Sequence, residues 1–101
     1  SPRARKIIKQ ITIMIDLEKE SDFSVDRKIL FAAMADFRGT MAMSLVNIRT
    51  YLLTGEKSYK ENFNDTWTQN KQHFNTLIKN KNLFNTEQIN AFKILKITRK
   101  E

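Results

Sequence analysis

Between residues 30 and 52 apolar side chains recur at Leu30, Met34, Phe37, Met41, Leu45, Ile48 and Leu52, in steps of 4, 3, 4, 4, 3 and 4. That spacing lays one continuous seam along a helix of 3.6 residues per turn. Ala32, Ala33, Ala35 and Ala42 lie between and beside these positions, where small side chains let a neighbouring helix approach closely. Ser24 fits an N-cap, Asp26 faces the positive end of the helix dipole, and Gly55 fits a left-handed stop. The pattern predicts a helix over 25–54, roughly 40 Å long.

Past the glycine, Tyr59, Phe63, Trp67, Asn70, Phe74 and Leu77 step by 4, 4, 3, 4 and 3, predicting a second amphipathic helix over 57–80. Its seam is aromatic, with one amide inside it. "NTEQ" at residues 85–88 reads as a capping box, Asn85 as N-cap and Gln88 reaching back. Ile89, Phe92 and Leu95 open a further helix over 86–101. The first segment is ambiguous. Ile8, Ile11, Ile15 and Glu18 fit a helix face, yet Ile11, Ile13, Ile15 and Leu17 alternate as a strand does. Helix over 4–20 is preferred, since no second strand is on offer to pair with it. The expected fold is all-α, an up-and-down helical bundle like a four-helix bundle, in a single domain over 1–101. "SPRARKIIK" has little cap and the last helix no stop signal. The expectation is a fragment of a longer protein, completed by a second copy.

Composition agrees with helices: the 101 residues include only 2 Gly and 1 Pro. The absence of cysteine removes disulfides and thiolate metal sites. No unbroken run of ~18 apolar residues is present. The net charge of +7 raises the question of nucleic acid. Counted over 1–24, 25–55, 56–82 and 83–101, the excess is +1, +2, +2 and +2, an even spread without a basic stripe. A solvated surface, with no nucleic acid as partner, is the favoured reading.

Phe37 to Phe92 resembles the extracytoplasmic sensor domain of bacterial methyl-accepting chemotaxis proteins. Such sensors carry an Arg-x-Tyr-hydrophobic-Leu-Thr-Gly element with a polar residue after it, here Arg49, Tyr51, Leu52, Leu53, Thr54, Gly55 and Glu56. "YKENFNDTWTQNKQHFNTL" looks like their aromatic second helix. "LFNTEQINAF" looks like their loop and restart, with Asn85 and Thr86 where Thr and Pro are common. Sensor domains of membrane histidine kinases share a similar Leu-Thr-Gly turn. The resemblance implies a periplasmic homodimer on an inner-membrane protein, joined by transmembrane helices to a cytoplasmic signalling module. Its partner would be a small-molecule ligand or a periplasmic binding protein, and its output a small helix displacement. Thr54 and Gly55 would then form the hairpin at one end of the bundle.

The candidate ligand-binding residues are Arg38, Arg49 and Asn70. Arg38 and Arg49 share a face of the long helix, about 16 Å apart, and a guanidinium suits a planar anion. The alternative is that each reaches solvent or pairs with an acid such as Asp36 or Glu56. Asn70, in an apolar seam, either sets helix register or touches a ligand. Tyr51, Tyr59, Phe63, Trp67 and Phe74 read as core before they read as a ligand pocket, as do Met14, Met34, Met41 and Met43. His73 is the only histidine, and neither a metal site nor a cofactor is expected. No catalytic motif is present, so the chain does not read as an enzyme. The rival from another class is a small basic helical nucleic-acid-binding module.

Overall fold

The computed structural model describes residues 2–22 and 24–100. The element order is α1 (Pro2–Lys19), α2 (Val25–Thr54), α3 (Lys57–Lys79), a single 3-10 turn (Lys81–Leu83) and α4 (Thr86–Lys100). The four helices pack antiparallel as an all-α bundle, α2 against α3 and α1 against α4, with α1 also on α2. Glu101, at the end of the expected last helix, lies outside the described residues.

Local chemistry sets each boundary. Pro2 occupies the first turn of α1, where its missing N–H costs nothing. Ser24 Oγ accepts from Arg27 N–H at 3.1 Å and starts α2. Gly55 closes it at φ 71°, donating to Tyr51 O at 2.7 Å. Thr54 Oγ1 seals the same turn by accepting from Glu56 N–H at 3.2 Å. At α4, Gln88 N–H donates to Asn85 Oδ1 at 2.8 Å while Asn85 N–H donates to Gln88 Oε1 at 2.9 Å, a reciprocal capping box. The alternating isoleucines of the first segment belong to a helix. Ile7, Ile11, Met14, Ile15 and Glu18 are buried and Ile13 faces out.

The core runs between all four helices through Ile11, Met14, Ile15, Leu30, Met34, Phe37, Leu77 and Leu95, each at most 1 % exposed. Phe74 bridges α2 to α4, its ring 6.0 Å from Phe37 and 5.7 Å from Phe92. The seam of α2 holds for its first four members and then fades. Leu45 and Ile48 are half-buried and Leu52 is exposed, while Ser44 and Asn47 take the inward positions. The end of α4 packs at the level of Asn70 through Arg99, so the α2–α3 hairpin projects past it. There the pairing turns polar, with Ser44 Oγ donating to Thr66 Oγ1 at 2.9 Å. In α4 the inward side is Gln88, Ala91, Phe92, Leu95 and Thr98, and Ile89 is partly exposed.

Candidate functional site: the Asn70–Arg99 node and its groove

Asn70 stands two-thirds of the way along α3 with no exposed surface. Its Nδ2 donates to Phe37 O at 3.0 Å and to Thr40 Oγ1 at 2.9 Å, both on α2. Its Oδ1 accepts from Arg99 Nη1 at 2.6 Å, on α4. One amide therefore ties three helices together. A buried amide demands such partners, because leaving one unmade costs roughly 1–3 kcal/mol.

The Arg99 guanidinium sits in an aromatic box, 4.5 Å from the Trp67 ring centroid, 4.6 Å from Phe74 and 5.5 Å from Phe37. Ring faces attract the cation, by about 2 kcal/mol per contact where water is excluded. Burial pulls its pKa below the ordinary arginine value, yet a group this basic keeps its charge at physiological pH. The arrangement fixes the register of α4 on α3 and α2, and it leaves part of the guanidinium facing an open groove. That groove, about 370 Å³, is lined by Phe74, Ile78, Lys96, Arg99 and Lys100.

Charge is distributed unevenly within the folded elements. From Thr66 to Lys100 seven Lys and Arg stand against one acid, Glu87, so this stretch carries +6 of the chain's +7. Glu56, Glu61 and Asp65, around the start of α3, offset the lysines further along in any count over 56–82. The second half of α3, the 3-10 turn and α4 carry this excess.

A second polar node lies at the α1–α2 end. Glu18, 5 % exposed, accepts from Gln88 Nε2 at 2.9 Å, and its other oxygen lies 3.5 Å from Arg27 Nη1. Arg27 also donates twice to Leu83 O, at 2.7 and 2.8 Å, and Gln88 Nε2 reaches Met14 O at 3.2 Å. This node joins all the helices except α3. The cavity beside it, about 220 Å³, mixes Glu18 and Asp22 with Lys19, Arg27 and Lys28.

Of the residues picked out from sequence, Asn70 belongs to the central node, but it is enclosed and spends its amide on protein groups. Arg38, on α2, is half-buried against α1, its Nη1 3.4 Å from Thr12 Oγ1. Arg49 is exposed near the hairpin tip. Among the described residues, neither arginine lines the groove or hydrogen-bonds Asn70. Thr54 and Gly55 form the hairpin turn. Tyr51, Tyr59, Phe63, Trp67 and Phe74 are half-buried; Phe63 stacks on Trp67 at 6.1 Å, and Lys60 lies over Tyr51. Met14, Met34 and Met41 are core, whereas Met43 is 51 % exposed. His73 is half-buried, and no group of three potential metal ligands forms among the described residues.

Sequence reasoning missed Arg99 and the charge of its groove. The signal was present in the steps of 4, 3 and 4 that link Gln88, Phe92, Leu95 and Arg99, a core spacing that ends in a cation. Comparison with protein-family models, with curated proteins and with solved structures finds no match for the chain.

Proposed function

We propose that this chain is the extracytoplasmic ligand-sensing domain of a bacterial transmembrane chemoreceptor, acting as a homodimer that relays ligand binding as a helix displacement. The Asn70–Arg99 node carries the reading. It couples α4 to α2 and α3 through a single guanidinium at the edge of an open groove, so a ligand in the groove acts on helix register directly. Bundles of this kind switch by shifts of an Å or two between packed arrangements. The sequence element around Thr54 and Gly55 supports the same reading, with α2 and α3 as the long hairpin. The sensing step is the same where the output module is a histidine kinase.

The outward side of α2 supports a second copy as partner. Val25, Ala32, Gly39, Val46 and Leu53 fall at intervals of seven, and all five are exposed. Ile29 and Met43 flank them on one side, half-buried Ala35 and Ala42 on the other. A heptad repeat is the pattern that another long helix covers, and small residues at its centre permit close approach. This also explains why α2 alone among the described helices is long and apolar enough to cross a membrane. One of its faces is core, and the other awaits a partner helix.

A nucleic-acid-binding module has one observation in its favour, the +6 carried between Thr66 and Lys100. A thermal-shift screen at two protein concentrations decides between the readings. Its panel is amino acids, organic acids, inorganic anions, sugars and short duplex DNA. The sensor reading expects a small molecule to raise the midpoint. At about a hundredfold excess over Kd the gain is ~2.7 kcal/mol, on the order of 10 °C for a domain this size. A midpoint that also rises with protein concentration supports the dimer. A response to DNA alone, lost in salt, overturns the reading.

A further inference from the structure

We propose that the groove between α3 and α4 binds a small organic carboxylate with an apolar body. Lys96, Lys100 and the free N–H groups of Arg99 take the carboxylate, and Phe74 and Ile78 take the body. This inference rests on the sensor reading and names the ligand class and its site.

The composition of the lining is the first argument. Among the described residues, three cations and two apolar side chains line the groove, with no acid. The only acid between Thr66 and Lys100 is Glu87, in the first turn of α4, about 18 Å along the helix from Arg99. Two further lysines stand on the same stripes. Lys71 precedes Phe74 and Ile78 by steps of 3 and 4, and Lys93 precedes Lys96 and Lys100 likewise. Summed positive charge over a low-dielectric wall raises the local concentration of anions. By contrast, the cavity at the α1–α2 end sets Glu18 and Asp22 among Lys19, Arg27 and Lys28, so its cations are largely offset by acids in its own wall.

Size and floor then select among anions. A groove near 370 Å³ with an aromatic floor suits a ligand of a few to a dozen heavy atoms. A bare inorganic anion gains nothing from Phe74 and Ile78. A polyanion such as DNA needs a long track of cations rather than an apolar floor.

Preorganisation is the third argument. Arg99 is held by the Asn70 hydrogen bond and the ring stack, and Lys96 Nζ is held 5.5 Å from the Phe92 ring. A planar guanidinium fixed in this way loses little freedom on meeting a carboxylate. It also transmits, because a carboxylate drawing on Arg99 competes with Asn70 Oδ1 for the same cation. That competition loosens the tie between α4 and α2.

The test is isothermal titration of the chain with benzoate, phenylacetate, hexanoate and glutarate. Benzamide and sulfate are the controls for body without charge and charge without body. At least one carboxylate is expected to bind, and the K96A/K100A double variant to weaken it about tenfold or more. The K6A/K9A variant, with two charges removed from α1, keeps wild-type affinity. Circular dichroism establishes that each variant is folded. The inference is overturned if no carboxylate binds below ~10 mM, if K96A/K100A binds as wild type, or if sulfate or DNA binds as well as the carboxylates. An amino acid or sugar that binds K96A/K100A undiminished would leave the sensor reading standing and remove this site from it.

Discussion

Arg99 Nη1, in the last turn of α4, donates a 2.6 Å hydrogen bond to the fully buried Oδ1 of Asn70 on α3. The same amide holds Phe37 O and Thr40 Oγ1 on α2, so the pair acts as a rivet through three helices. Replacing Asn70 by Leu keeps its approximate volume and strands the Arg99 donor. The expected loss is roughly 1–3 kcal/mol, or about 4–8 °C of midpoint per kcal/mol. Arg99→Lys keeps the charge and loses the planar stack on Trp67 and Phe74, so it too destabilises. Denaturant titration measures both. A change within ~0.5 kcal/mol for N70L would mean that the rivet is ornamental.

Glu18 and Arg27 form the corresponding tie at the α1–α2 end, and their worth is a coupling rather than a sum. Arg27 keeps Leu83 O as an acceptor when Glu18 is neutralised, which limits the damage. A double-mutant cycle with Glu18→Gln and Arg27→Met is expected to give a coupling of roughly 0.5–3 kcal/mol by chemical denaturation. Additive single effects would show that the 3.5 Å approach contributes no net attraction.

Gly55 is the residue whose backbone requires glycine, at φ 71° with open space where a Cβ would project. Gly55→Ala meets no clash, so its cost is conformational, about 1–2 kcal/mol. Gly55→Asn costs less, since asparagine tolerates the left-handed region. Equal stability of the glycine and alanine forms would contradict the hairpin geometry.

The outward ridge of α2 gives a prediction about association without touching the core. Val46 is a 53 % exposed member of the ridge. Val46→Glu is expected to convert a dimer to a monomer in sedimentation equilibrium, while the monomer's stability stays within about 0.5 kcal/mol. A dimer that persists in V46E, or a wild-type chain that stays monomeric at high concentration, contradicts the assignment of a second copy to this face.

Much of the bundle was legible because its signals are local. The bounds of α2 follow from Ser24 and Gly55, and the α4 start follows from Asn85 and Gln88, all within a few residues of the element they control. Asn70 stood out as an amide in an apolar seam, and burial did require it to be satisfied. Its partner Arg99 was not legible in the same way, since an arginine near a helix end ordinarily reaches solvent. Only the approach of α3 to α4 turns Trp67, Phe74 and Phe37 into a box around it. The basic excess was hidden because a count over 56–82 sets the acids at the start of α3 against the lysines at its end. The outward ridge of α2 escaped notice because the stronger inward seam of Leu30, Met34, Phe37 and Met41 shares the same helix. Arg38 and Arg49 were paired by helical arithmetic, but different surroundings separate them, Thr12 for one and solvent for the other.

The central claim is that this domain faces the outside of the inner membrane and senses there. Topology reporters in the parent protein test it most directly, with alkaline phosphatase and a green fluorescent protein inserted in turn at the exposed Asn82 position between α3 and α4. The account predicts phosphatase activity and no fluorescence, because phosphatase matures only outside the cytoplasm. Fluorescence without phosphatase activity would put the bundle in the cytoplasm and contradict the sensor reading.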